Sequence, residues 1–310
     1  MSFNLKISIR EKKKKLDSLR PFPKLALEKL RQQMAIEWTF NSNAIEGNTL
    51  SLKETALILN EGLTISGKPL REHFEATNHK EAIQTLEKYT QDHHELNDEL
   101  VCSLHRLILK NIDEEEAGHY RRHSVRILGA THIPPNPLKV TSLMNTLFEW
   151  FQLNQKKMDP LELAARLHHQ FVSIHPFIDG NGRTARLLMN FVLMRKGYPP
   201  AVILKVDRRK YYRVLQEADQ GKNEDYFHFI ARSIERSLII YLQALTPPKQ
   251  TDERQGYITL AHAAQKTPYS QEYLSLLARR GILPSVKFGR NWMTTLDAIR
   301  DYSKKHNKVT

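Results

Sequence analysis

Apolar residues recur along most of this chain at the spacing of three and four that gathers them on one face of a helix. The period runs through Leu25 to Trp38, Lys53 to Leu59, Ala76 to Tyr89, Asp98 to Leu109 and Leu143 to Phe151. It continues through Leu161 to Ile174, Thr184 to Lys196, Tyr211 to Ala218 and Tyr226 to Leu245. Each stretch is predicted to form an amphipathic helix that buries one stripe against its neighbours. Two stretches break the pattern. His123 to Val140 combines β-branched Val125 and Ile127 with Gly129, Pro134, Pro135 and Pro137. Proline lacks an amide hydrogen and clashes inside a helix, so a loop or short β-hairpin is predicted there. Thr246 to Asp252 is polar, carries Pro247 and Pro248, and has linker character. The predicted fold is mainly α: a helical N-terminal region (1–95), a helical core with a short β-hairpin (96–245), a linker (246–255) and a small C-terminal domain (256–310).

Composition narrows the class. The 310 residues are 40% hydrophobic and 26% charged, ordinary for a globular protein and unlike a disordered chain or a fibre. No apolar run approaches the roughly 18 residues that a membrane span needs. The first residues lack the apolar stretch of a secretory signal, so a cytoplasmic protein without a membrane partner is expected. A single cysteine, Cys102, leaves no internal disulfide and no multi-cysteine zinc site. Lys and Arg number 47 against 34 Asp and Glu, a net charge of +13. Such a surplus favours polyanionic partners, although solubility explains it equally well.

The densest chemical signal is His175-Pro176-Phe177-Ile178-Asp179-Gly180-Asn181-Gly182-Arg183-Thr184-Ala185-Arg186. Leu163, Leu167, Phe171 and Ile174 form one helical stripe before it, and Leu187, Leu188, Phe191 and Met194 form another after it. Pro176 disfavours the helical conformation at His175, so the motif is a loop between two core helices. It delivers Gly180, Asn181 and Gly182 to a helix N-terminus, where unpaired amides and glycine flexibility suit a phosphate. Arg183 and Arg186 lie three apart, with guanidinium forks that can grip phosphate oxygens. Asp179, the carboxylate of the loop, suits Mg²⁺ beside a polyphosphate. His175 offers an imidazole with the ordinary pKa range of a general base. Taken singly, each feature is as well explained by a turn or a solvated surface; the fixed spacing at one helix junction is what points to chemistry.

The pattern His175-x-Phe177-x-Asp179-Gly180-Asn181-Gly182-Arg183-x-x-Arg186 resembles the signature of the Fic (Fido) family of protein adenylyltransferases at every defining position. Gly118 to Arg121, the Val125 to Val140 segment and Tyr211-Tyr212 also resemble elements of that family, and the resemblance covers about residues 30 to 245. It implies a Fic-type helical bundle with a β-hairpin flap. It implies that His175 deprotonates a hydroxyl of a target protein, or of the protein itself, for attack on the α-phosphate of ATP. Asp179 would hold Mg²⁺, and the segment from Gly180 through Asn181, Gly182, Arg183, Thr184 and Ala185 to Arg186 would bind the phosphates. Leu128, Gly129, Ala130, Thr131 and His132 of the flap would border the nucleotide, Tyr211 would line the adenine pocket, and Asp219 would face the ribose or base. Family members often carry Asn where this chain has Asp219. Ser42 to Asn48 resembles the family's inhibitory pattern Ser/Thr-x-x-x-Glu-Gly/Asn, which implies that Glu46 pairs with Arg186 and competes with a phosphate. Some relatives with this glutamate also remove AMP, so the direction of the reaction stays open, as does a homodimer.

The tail is a separate question. From Thr251 onward there are ten Lys or Arg and five Asp or Glu. Leu260, Ala263 and Ala264 predict a short helix, and Ser270 is placed to cap the next, whose apolar side is read as Tyr273, Leu276 and Leu277. Val286 to Phe288 and Gly289 to Trp292 read as a two-stranded wing, followed by a helix with Leu296, Ile299 and Tyr302. The order resembles the winged helix-turn-helix of excisionase and MerR-type proteins. It implies DNA contact through residues 256–310, with Gln271, Glu272 and Ser275 at a major groove and Arg279, Arg280, Lys287 and Arg290 on phosphates. A protein-docking module on the same scaffold is the alternative, and for the whole chain the alternative is a DNA-binding regulator whose core only senses nucleotide.

Overall fold

The apolar periods of the first 245 residues become helices in the computed structural model, which describes residues 3–127, 131–246, 256–288 and 291–306. In order they are α1 (Phe3–Asp17), α2 (Lys24–Ile45), α3 (Leu52–Glu61), α4 (Leu70–Gln91), α5 (Asp98–Leu109), α6 (Val140–Asn154), α7 (Pro160–Ile174), α8 (Asn181–Arg195), α9 (Arg208–Asp219) and α10 (Asn223–Leu245). Local chemistry sets the ends. Ser51 Oγ accepts from Glu54 N–H while the Glu54 carboxylate accepts from Ser51 N–H, a capping box that starts α3; Gly62 at φ +67° stops it. Asn97 and Asp159 cap α5 and α7.

The core is centred on α7 and α8. Leu163, Leu167 and Phe171 of α7 and Leu187, Leu188 and Phe191 of α8 are fully buried. α8 packs against α7, α4, α5 and α2 and is buried on almost every side. Its N-terminus, which carries the phosphate-type motif, is therefore held inside the bundle. α1 precedes the first predicted helix. Its stripe is Leu5, Ile9 and Leu16, all buried, and the intervening lysine run hides that period in the sequence. α1 lies along α10, where Glu235 accepts from Ser8 Oγ at 2.6 Å and from Lys12 Nζ at 3.1 Å.

The predicted hairpin is corrected in part. Residues 123–127 and 131–136 contain no strand; Pro137–Lys139 form a short 3₁₀ turn that leads into α6. Pro134, Pro135 and Pro137 remove the amide donors that a ladder would need. Leu128, Gly129 and Ala130 lie outside the described residues. Among those described, no helix is long and apolar enough to cross a membrane.

The chain divides into two compact units, Met1–Leu245 and Thr246–Thr310. Residues 247–255, most of the predicted linker, lie outside the described residues. The second unit contains β1 (Ile258–Thr259), α11 (Leu260–Gln265), α12 (Gln271–Arg279), β2 (Ser285–Phe288), β3 (Asn291–Thr294) and α13 (Leu296–His306). β2 and β3 pair antiparallel with Val286 opposite Met293, and β1 adds a third strand that the sequence pattern was too short to reveal. Ser270 Oγ caps α12 by accepting from Tyr273 N–H. The buried side of α12 is Leu274, Leu277 and Ala278; Tyr273 and Leu276 are exposed, which corrects the predicted face by one residue.

Three histidines, His79, His105 and His168, are fully buried in the first unit. His168 accepts from Tyr211 OH at Nε2 (2.9 Å) and pairs through Nδ1 with Tyr226 OH (2.8 Å), which donates in turn to Ala165 O. Burial holds all three rings well below the ordinary histidine pKa, His105 at about 4, and the cations Arg183 and Arg186 add to the effect on His79. The unfolded chain binds these protons from about pH 6.5 downward while the folded chain refuses them. Stability is therefore full above pH 6.5 and falls as pH drops toward 4. Urea unfolding at pH 7.5 and pH 5.0 is expected to give a lower midpoint at pH 5.0 with the slope unchanged.

Candidate functional site

The loop from His175 to Gly180 is braced before it can act on anything. α7 ends at His175, which adopts the left-handed conformation, φ 51° and ψ 59°. Asn181, the first residue of α8, reaches back: its Oδ1 accepts from Phe177 N–H at 2.9 Å and its Nδ2 donates to Phe177 O at 2.8 Å. Phe177 is fully buried and stacks on His105, with ring centroids 3.5 Å apart and planes 4° from parallel. His105 accepts from Gly118 N–H at Nδ1 and donates through Nε2 to Asp179 O at 2.9 Å. Arg121, 2% exposed, donates to His175 O at 2.8 Å, His123 O at 3.0 Å and Pro135 O at 2.6 Å. One guanidinium thus ties the loop to the base of the proline-rich segment. His105 and Arg121 carry none of the expected chemistry, yet they set the loop's shape.

At the start of α8, Arg183 and Arg186 are each only 2% exposed. Two such charges need partners. Arg186 Nη2 lies 2.8 Å from Glu46 Oε1 and donates to Ser42 O at 2.8 Å, while Nε donates to Ser42 Oγ at 3.0 Å. Glu46 is the residue that closes α2, and Arg208 Nε holds that end by donating to Ile45 O at 2.6 Å. The Glu46 carboxylate lies directly against the backbone of Gly182; a Cβ at that position would overlap it. Burial alone would depress the Arg186 pKa, but the Glu46 carboxylate together with Tyr211 and Tyr212 raises it. Arg186 Nη1 and Arg183 Nε are buried without a hydrogen-bond partner among the described residues.

Arg183 pairs differently. Its Nη2 meets Asp179 Oδ1 at 3.2 Å and its Nη1 lies 3.5 Å from Glu75 Oε1. Asp179 also accepts from Gly180 N–H at 2.5 Å and from Arg71 Nη2 at 2.7 Å. Burial pushes the Asp179 pKa up, but Arg183, the Gly180 amide and Arg71 together pull it below the ordinary carboxylate value. Arg71 and Glu75 were not legible as site residues, because an Arg and a Glu four apart on a helix read as a surface pair.

The remaining predicted residues fall as follows. Burial lowers the His175 pKa to about 4, so the ring is neutral at pH 7; the ordinary value expected from sequence is corrected. Thr131 Oγ1 accepts from Gln216 Nε2 at 2.9 Å, and His132 Nε2 donates to Ser173 O at 2.8 Å. Asp219 accepts from His169 Nε2 at 2.8 Å and Ser173 Oγ at 3.3 Å. Thr131 and His132 are thus tied to α9 and α7, and Asp219 of α9 is tied to α7. Tyr211 is not at an open pocket: it is 1% exposed and bonded to His168, because it lies on the inner face of α9. Tyr212, on the outer face, is 39% exposed and its hydroxyl approaches Ile45 O at 3.4 Å and Glu46 Oε2 at 3.5 Å. Thr184 and Ala185 are fully buried, and Thr184 Oγ1 has no hydrogen-bond partner among the described residues.

The Fic/DOC family model matches residues 95–193. The chain belongs to the Fic family. A curated protein adenylyltransferase Fic from Nematostella vectensis is 36% identical over 256 residues, which is 82% of this chain and 59% of that relative. A Fic-domain signalling protein from Bacteroides thetaiotaomicron superposes with a TM-score of 0.73 at 30% identity, covering 77% of this chain and 97% of that one. A Fic-1 fragment from C. elegans gives a TM-score of 0.69 at 32% identity, covering 77% of this chain and 72% of that one. The chain spans about half the length of the curated relatives it matches.

Replacing Asn181 by alanine removes both bonds to the Phe177 backbone and leaves a buried amide and carbonyl unpaired. A loss of about 2–4 kcal/mol is expected from urea unfolding at pH 7.5.

Proposed function

We propose that this Fic protein transfers AMP from ATP to a hydroxyl side chain of a target protein or of itself, and that Glu46 holds it inactive. The observation that carries the proposal is the Glu46 carboxylate held between the buried Arg186 guanidinium and the Gly182 backbone at the start of α8. A carboxylate in that position occupies the anion site that a nucleotide phosphate needs.

In the transfer, the target hydroxyl gives its proton to the imidazole of His175 as its oxygen bonds to the α-phosphorus. The bond from that phosphorus to the β-phosphate oxygen breaks, AMP stays on the target and pyrophosphate leaves. The neutral His175 ring can take that proton, and nearby phosphate charge would raise its affinity for it. The Gly180 to Gly182 backbone and the two arginines take the phosphate charge, so positioning and electrostatics supply most of the acceleration. Mg²⁺, when bound, would neutralise and orient the phosphates. Asp179 would hold it, and a half-exposed single carboxylate fits an ion that usually binds through one or two carboxylates with water and phosphate completing its shell. Thr131, His132 and Asp219 would border the nucleotide, and Tyr212 offers a more accessible aromatic face than Tyr211. The proline-rich segment before α6 would serve as the flap that receives the target.

Glu46→Gly should raise self-adenylylation roughly ten- to a hundredfold, the effect of removing one charged hydrogen-bond competitor. Intact mass spectrometry after incubation with ATP and Mg²⁺ should show a gain of one AMP, abolished by adding His175→Ala. Equal incorporation by Glu46→Gly and wild type would overturn the brake, and no incorporation by either would overturn the transfer itself. Loss of AMP from a modified substrate on addition of wild type would assign the reverse reaction.

A second reading concerns the C-terminal unit. Gln271, Ser275 and Arg279 follow one face of α12 and border a groove with Lys287, Asn291 and Trp292 of the β2–β3 hairpin. A helix face flanked by a basic hairpin favours a winged helix-turn-helix that contacts duplex DNA. Arg290 of the predicted set lies outside the described residues. The full chain should shift a DNA duplex with an affinity that falls steeply with salt, and Arg279→Ala should weaken it and flatten that slope by about one. No shift at low salt leaves the protein-docking alternative.

A further inference from the structure

Arg71 closes a ring of four charges that the Fic motif by itself does not contain. Its Nη2 lies 2.7 Å from Asp179 Oδ2 and its Nε 3.4 Å from Glu75 Oε1; Arg183 meets the same two carboxylates, Asp179 Oδ1 at 3.2 Å and Glu75 Oε1 at 3.5 Å. Two guanidiniums therefore share two carboxylates. The ring is not isolated from Glu46. Glu75 Oε2 accepts from Asn48 Nδ2 at 2.8 Å, Glu75 O accepts from Asn43 Nδ2 at 2.9 Å, and Glu72 accepts from Thr49 N–H at 3.0 Å. The first turns of α4 thus clasp both ends of the segment that carries Glu46.

The charges have a pattern. Glu46 sits on Arg186, and Glu75 sits on Arg183; each carboxylate stands where a phosphate oxygen would pair. Two cations sit on Asp179, the buried Arg183 on Oδ1 and the exposed Arg71 on Oδ2, and Arg71 is the one free to leave. We propose that Arg71 occupies the metal-binding carboxylate as an internal counter-ion, and that metal entry requires its displacement. A metal within bonding distance of the Asp179 oxygens cannot share Oδ2 with a guanidinium nitrogen 2.7 Å away without strong repulsion. Arg71 is 57% exposed at its side chain, so its Nη2 can leave Asp179 for solvent at modest cost while its Nε remains beside Glu75, and the exchange sets the exposed Arg71–Asp179 pair against a metal bond. Arg71 therefore sets the metal concentration at which the nucleotide is held productively. It does not touch the reacting atoms; it acts through Asp179.

This inference rests on the proposed ATP-dependent reading, and its test separates the two. The full-length Glu46→Gly protein is mixed with the α,β-methylene analogue of ATP, which cannot transfer AMP, and Mn²⁺ binding is followed by loss of the free-ion electron paramagnetic resonance signal. Nucleotide binding is measured in parallel by calorimetry with EDTA. Adding Arg71→Ala should tighten Mn²⁺ about three- to fivefold, the effect of removing one exposed ion-pair competitor, with metal-free nucleotide affinity changed less than twofold. Arg71→Lys, which keeps the charge, should stay near the Arg71 value. Unchanged or weaker Mn²⁺ binding by Arg71→Ala, or equal tightening by both variants, overturns the counter-ion role. Failure of the Glu46→Gly parent to bind the analogue at all overturns the nucleotide reading instead, whatever Arg71 does.

Discussion

Two guanidinium groups buried at the start of one helix constrain the rest of this molecule. Arg183 and Arg186 are each 2% exposed inside the bundle, and a buried cation without a partner costs several kcal/mol. The fold answers by bringing carboxylates from distant segments: Glu46 from the end of α2, Glu75 from α4 and Asp179 from the loop before α8. None of these contacts is close in sequence except Arg183 with Asp179. The approach of α2 and α4 to α8 is therefore an electrostatic requirement as much as a packing one.

The loop that meets these charges is rigid for reasons separate from them. Asn181 locks Phe177 from both sides, His105 fixes the Asp179 carbonyl, and Arg121 grips the His175 carbonyl. These braces grip backbone atoms of the loop, so none of them uses the side chain of His175 or Asp179. A site preorganised in this way changes its occupants without changing its frame: ligand oxygens can take the places of carboxylates while the loop stays still. In the proposed reaction the resting protein and the nucleotide complex differ mainly in which anions the arginines hold. On that proposal a single carboxylate at position 46 would govern the whole site.

Much of the helical layout and the core of the site can be read from the amino-acid sequence. The stripes on either side of His175 to Arg186 required two packed helices joined by that loop, and the motif's glycines and arginines carried the family resemblance. Local rules reach only so far. The α1 period is hidden by a lysine run, because three buried residues in fifteen do not stand out until α10 is there to cover them. The proline-rich segment offered β-branched residues without the amides to pair them. Tyr211 and Tyr212 are adjacent, and only the rotation of α9 decides that the first turns inward to His168 and the second outward to Glu46. The ordinary histidine pKa expected at His175 fails because desolvation is a property of the surroundings and not of the residue. Arg71 and Glu75 form a commonplace surface pair until Asp179, more than a hundred positions away, is folded beside them. What the chain determines alone is which residues have chemistry to offer and where helices begin and end, since caps, prolines and apolar spacing act over a few residues. Which charges meet is decided by tertiary structure, because Coulomb pairing depends on distance through space and sequence separation carries no record of it.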